Sequence, residues 1–291
     1  MEERFRNLLP LLLFTALLVI AAGIAVGASG CFLFLSLIPR HLVTLLAWSF
    51  ALSSAGALFS FLHLGRKGRT PQVIRGIGRS WLSREALAAA LFTIGIGIAM
   101  ILALGKTRSL LDEALAAISL LGLATTLCIG MLYHLPGQLT WKGRLPASTP
   151  AVSSLYLGSS FTLIVSLQYR ATCFIHIFFF LWASDFALSV ARRQRFANQS
   201  RHRRALLFPR LAPAVSFLHL LRLLFPFGVA FSIIDEAFWP VPFVIMAQVV
   251  MDRFTFYAGA LQMTPRALFL ELKDERMRSA LHYQNQGEPP A

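Results

Sequence analysis

Apolar runs long enough to cross a lipid bilayer recur from one end of this chain to the other. A hydrocarbon core of about 30 Å takes roughly 20 residues of helix. About eight segments approach or exceed that length: Leu8 to Leu35, His41 to Leu62, Ala86 to Leu104, Leu111 to Tyr133, Val152 to Leu167, Ala171 to Val190, Ala212 to Ile233 and Val241 to Met263. The runs are continuously apolar and do not alternate, and a backbone in lipid must satisfy its own hydrogen bonds as a helix or a closed barrel. The expected fold class is all-α, a polytopic integral membrane bundle of about eight transmembrane helices. A composition 56% apolar and 14% charged, with mean hydropathy +0.65, excludes a water-soluble globular domain. No hydrophilic segment is long enough to fold alone, so residues 1–291 read as a single membrane domain with short loops and a basic polar tail from about 266 to 291. The first run is a retained span and not a signal peptide, because Glu2 and Glu3 offset Arg4 and Arg6 and the run far exceeds a signal's apolar core.

A net charge of +14 would suit a nucleic-acid partner, but the positions of the 27 Lys and Arg residues favour another reading. The second loop holds Arg66, Lys67, Arg69, Arg75, Arg79 and Arg84, and the sixth is richer still. Only Arg40, Lys106, Arg108 and Arg170 lie in the odd-numbered loops. This alternation supports the span count and, by the positive-inside rule, puts both termini in the cytoplasm. The densest run, Arg192-Arg193-Gln194-Arg195 with Arg201, Arg203 and Arg204, suits anionic lipid headgroups or an acidic protein surface. It lacks the aromatic interleaving of a nucleic-acid site.

Several chemistries are missing from the pattern: no phosphate loop, no Gly-x-Ser-x-Gly elbow, no His-Glu-x-x-His and no cysteine cluster of iron–sulfur spacing. Cys31, Cys128 and Cys173 lie in or near spans without CxxC spacing and read as packing residues. His176 and His219 fall within spans and are the one pair that suits a haem, but a single pair on helices of unknown contact is weak support. Electrons in any redox role would have to pass to another subunit.

His63 ends the second span and Glu85 begins the third, on the same side of the membrane because the loop between them does not cross. Ionisable residues at a bilayer edge are functional candidates. Each also has a structural reading, His63 as an interfacial histidine and Glu85 as a helix N-terminal carboxylate. Together they suit quinol oxidation, which releases two protons with two electrons, while Arg75, Arg79 and Arg84 nearby suit the charge that develops on a quinone oxygen.

The segments Leu62-His63-Leu64-Gly65, Trp81-Leu82-Ser83-Arg84-Glu85 and Asp252-Arg253-Phe254-Thr255-Phe256-Tyr257 resemble the membrane anchor subunit of dimethyl sulfoxide reductase, the DmsC family. Met131-Leu132-Tyr133, Thr140-Trp141, Thr149-Pro150, the chain length and the eight-span layout add to the likeness. The resemblance implies a bacterial inner-membrane chain that anchors an iron–sulfur electron-transfer subunit and a molybdopterin catalytic subunit in anaerobic respiration. It implies menaquinol as substrate and no metal or covalent cofactor on this chain. By the same resemblance His63 and Glu85 are the catalytic pair of the quinol pocket; the charge of Arg79 and Arg84, and not the resemblance, adds them as quinol-binding residues.

The chain departs from that pattern in having Arg66-Lys67 where relatives commonly have a small residue and proline, and Val249 where many carry an acid one turn before the late arginine. Arg253, costly inside a span unless paired, reads as half of a structural ion pair. Asp252, beside it in sequence, faces another direction on a helix, so Asp185, Glu236 and a lipid headgroup are equally open as its partner. Arg222 reads the same way. Two other functions stay open: a scaffold without a working quinol site, and a small-molecule transporter, for which interrupted helices with polar pairs near the bilayer centre are expected, whereas the ionisable residues here gather at span ends. The terminal acceptor, the quinone and the side on which partners dock are not fixed by these residues.

Overall fold

The computed structural model describes residues 2–35, 39–63, 78, 80–105, 108–132, 144–168, 173–199, part of 213–227 and 240–258. All regular structure among them is helical: α1 (Glu2–Leu35), α2 (Pro39–His63), α3 (Trp81–Leu104), α4 (Arg108–Leu132), α5 (Arg144–Gln168), α6 (Cys173–Gln199) and α7 (Val241–Ala258). The described residues between 213 and 227, in the seventh apolar run, are helical too, and Phe227 packs edge-on against Phe186 of α6. Among the described residues five helices contain stretches long and apolar enough to span a membrane: Leu9–Leu35, Arg40–Ser60, Trp81–Leu104, Leu110–Met131 and Phe174–Gln194. The chain is an all-α polytopic membrane protein, as its apolar runs imply. The expected C-terminal tail, Arg222, Glu236 and the Thr140-Trp141 segment lie outside the described residues.

The first helix is the centre of the bundle. In its most apolar stretch 67% of residues are buried, against 17% for α6, and it packs on α2, α4, α5 and α7. The reason is in its side chains: Ala21, Ala22, Ala25 and Ala28 are fully buried, and small residues let neighbouring backbones close in where lipid offers no hydrophobic drive. Against α5 the approach is closest. A Cβ on Gly27 would lie 2.8 Å from the carbonyl oxygen of Gly158, and one on Gly158 would lie 2.9 Å from that of Gly23. Gly27→Ala is therefore expected to cost about 1–3 kcal/mol by forcing the backbones apart. Gly97→Ala, whose Cβ would meet only Phe50 at an ordinary 3.6 Å, should cost little. Thermal unfolding of the two variants in detergent checks the contrast.

The fifth helix shows how a less apolar sequence stays inside such a bundle. Ser154, Ser159, Ser160, Thr162 and Ser166 each donate to a carbonyl three or four residues back in their own helix, so their hydroxyls are satisfied without water. The same arrangement serves Thr15, Thr125 and Thr126.

Candidate functional site

Among the described residues two groups of ionisable and polar side chains are buried in the bundle. The first is at the start of α3. Trp81 opens the helix, one turn earlier than the apolar run alone suggests, so Glu85 lies inside the helix and not at its edge. The exposed Trp81 and Leu82 face outward, as interfacial side chains do, and turn Ser83 and Glu85 inward. Glu85 is 1% exposed, and neither carboxylate oxygen has a hydrogen-bond partner among the described residues. Its electrostatic neighbour on the adjoining helix is Cys128, in the last turn but one of α4. Leaving a buried polar group unpaired costs free energy, so a fold that holds Glu85 this way invites a ligand able to donate to it.

Arg84 is fixed beside this site. Its guanidinium lies 4.6 Å from the centre of the Trp81 ring and its Nη2 donates to the Gly78 carbonyl at 2.9 Å. His63 is the last residue of α2, which packs on both α1 and α3. The side chain of His63, and Arg79 altogether, lie outside the described residues. The structure thus brings Glu85 and Arg84 to one helix start, with α2 ending at His63.

The second group joins α5, α6 and α7. Asp185 accepts a hydrogen bond from Ser153 Oγ of α5 at 3.0 Å and another from Gln248 Nε2 of α7. Asp252 of α7 pairs with Arg192 of α6 and with its own neighbour Arg253. Arg253 also lies 5.2 Å from the Phe256 ring centre. Tyr156, Gln248, Asp252 and Arg253 are all at most 2% exposed. Within the group Tyr156 Oη, Arg192 Nε, Gln248 Oε1 and Arg253 Nε have no hydrogen-bond partner among the described residues.

This second group settles one open choice and corrects two expectations. Arg253 does pair with Asp252, because a guanidinium on a long stem reaches back across the angle separating adjacent helical residues. Arg192 is not a lipid-facing loop residue: α6 continues to Gln199, and Arg192 turns into the bundle to meet Asp252. Nor do the ionisable residues gather only at span ends, since Asp185 lies near the middle of the Phe174–Gln194 span. The signal was available in the spacing. Asp185, Ser189 and Arg192 fall at i, i+4 and i+7, on one face of a helix.

His176 is exposed on α6, and His219 lies outside the described residues. Cys31 is buried, Cys128 is half-buried, and the side chain of Cys173 is outside the described set.

Fold and composition define a polytopic helical membrane protein with polar residues buried between its helices. The family model for the DMSO reductase anchor subunit (DmsC) matches residues 4–231, well over half of the chain. The chain belongs to that family of membrane anchor subunits. The matched region contains His63, Glu85, Arg84, Asp185 and Arg192 but ends before α7. No curated protein matches the sequence.

Proposed function

We propose that this chain is the membrane anchor and menaquinol-oxidising subunit of a dimethyl sulfoxide reductase-type molybdoenzyme in the bacterial inner membrane. It passes quinol electrons to an iron–sulfur subunit, from which they reach a molybdopterin subunit in anaerobic respiration. Family membership supports the anchoring role. The observation that carries the quinol site is Glu85, buried in a helix start with neither oxygen bonded to any described residue.

In this reading His63 binds one quinol hydroxyl and takes its proton, and Glu85 takes the other as the two electrons leave. Arg84, held by Trp81 and Gly78, supplies positive charge to the quinone oxygen, and Arg79 assists. The departing electrons need an acceptor within the complex, which the iron–sulfur partner provides.

Transport is less well supported, because α6 and α7 run unbroken through the polar group between them. A scaffold without quinol chemistry would leave the unpartnered Glu85 unexplained. The test is purification of the tagged chain from native membranes, with identification of co-purifying proteins and assay of molybdenum and iron. A molybdopterin protein and an iron–sulfur protein are expected in the preparation. His63→Ala is expected to assemble with them and lose most quinol-dependent reduction, while reduction driven by an artificial dye donor persists. Full quinol activity in that variant would refute the role given to His63.

A further inference from the structure

Two glycines fix how α3 and α4 face each other. A Cβ on Gly122 of α4 would lie 3.0 Å from the Phe92 ring of α3, and one on Gly95 of α3 would lie 3.0 Å from Ile118 and 3.7 Å from Leu121 of α4. The later residue of α3 meets the earlier residues of α4, so the two helices run antiparallel. Seven residues is nearly two whole turns, and a step of seven toward the start of α3 and the end of α4 returns the same faces to each other. From Phe92 and Gly122 that step reaches Glu85 and Ile129, both buried. From Gly95 and Leu121 it reaches Ala88 and Cys128, both half-buried. Ala88 stands one turn beyond Arg84 and Glu85 on α3, and the electrostatic influence of both those residues on Cys128 agrees with this register.

Side-chain size changes along this seam. Further into the bundle a large side chain faces each glycine, Phe92 against Gly122 and Ile118 against Gly95. At the level of Ala88 and Cys128 two small side chains face each other instead. Beside them lies the Glu85 carboxyl, 1% exposed, with neither oxygen bonded to any described residue. Small walls next to a buried group that wants a donor make a slot for a flat ring carrying a hydroxyl. A thiol, soft and weakly polar, suits the wall of such a slot.

We propose that Cys128 forms the α4 wall of the Glu85 site and touches the ring of the bound quinol. The inference rests on the quinol site proposed above and adds to it the residue that sets its width. Glu85 meets the quinol hydroxyl, and Cys128 takes no part in proton transfer.

The test uses the whole complex in native membranes, assayed with a short-chain menaquinol analogue. Cys128→Phe is expected to raise KM for the analogue about tenfold, the scale on which pockets discriminate by size. Reduction driven by a dye donor reports whether the complex has assembled. Methyl methanethiosulfonate, which adds a methylthio group to a thiol, is expected to inhibit quinol oxidation by the wild type. Measured against its own untreated rate, Cys128→Ser should lose far less to the reagent. Prior saturation with the oxidised analogue should slow the wild-type inhibition, a protection that a merely structural cysteine would not show. If Cys128→Phe fails to assemble, the reagent applied to assembled wild type decides. A wild-type KM in Cys128→Phe, equal inhibition of wild type and Cys128→Ser, or inhibition that the analogue does not slow would overturn the Cys128 wall. With turnover collapsed in Glu85→Gln, any of those results leaves the quinol site standing. Full turnover in Glu85→Gln would remove the site and its wall together.

Discussion

Asp252→Ala is expected to keep the chain from accumulating in the membrane. The carboxylate is 1% exposed and is the shared partner of Arg192 and Arg253, themselves 9% and 1% exposed. Removing it leaves two buried guanidinium groups without their anion. Breaking a buried pair costs about 3–5 kcal/mol in soluble proteins, and a stranded cation in a bilayer costs roughly 2.5 kcal/mol or more. Set against a typical folding stability of about 5–15 kcal/mol, the loss is large enough to abolish the native bundle. Immunoblots of membrane fractions and thermal aggregation in detergent measure it. The triple replacement of Arg192, Asp252 and Arg253 by leucine should recover much of the lost accumulation, because apolar residues of similar volume carry no desolvation cost. Normal accumulation of Asp252→Ala would show that this cluster does not lock α6 to α7.

The bundle was legible because its apolar runs are longer than any soluble strand or signal segment, and run length alone dictates helices in lipid. Helix ends were harder to place. Hydropathy stops at the first arginine, so α6 was expected to end at Val190, yet Arg192 is carried inward by the same helix face as Asp185. Burial of a charge depends on a partner far away in sequence, and Asp252 is sixty residues on. The same limit applies to Glu85. Its identity as a candidate was readable, but with the span expected to start at Ala86 it resembled an ordinary N-terminal carboxylate. What makes it unusual is the extra turn from Trp81, which draws it into the bundle, and the lack of a hydrogen-bonding neighbour among the described residues. Neither follows from local sequence. The glycine contacts between α1 and α5 join positions far apart in the chain, so nothing local in the sequence pairs them.

Glu85→Gln should separate proton transfer from binding at the first site. Glutamine has the same shape and keeps one carbonyl oxygen as acceptor, so the helix start and the fit of a quinol hydroxyl should survive. It has no basic oxygen to take a proton. General acid–base groups contribute about 10²–10⁴-fold to rate, so the expected result is a fall of that size in kcat for quinol oxidation, with KM changed far less. Assembly should be normal, and reduction by a dye that bypasses the membrane subunit should be intact. The reasoning turns on the two unpartnered oxygens: were Glu85 held in an ion pair, its loss would strand a cation and the protein would fail to fold, whereas an unpaired carboxyl exchanged for an amide strands nothing. Thermal unfolding of the variant at or above the wild-type midpoint, together with collapsed quinol turnover, would mark Glu85 as a residue kept for chemistry at the expense of stability. Retained turnover would leave it as a buried polar group whose role is not proton transfer.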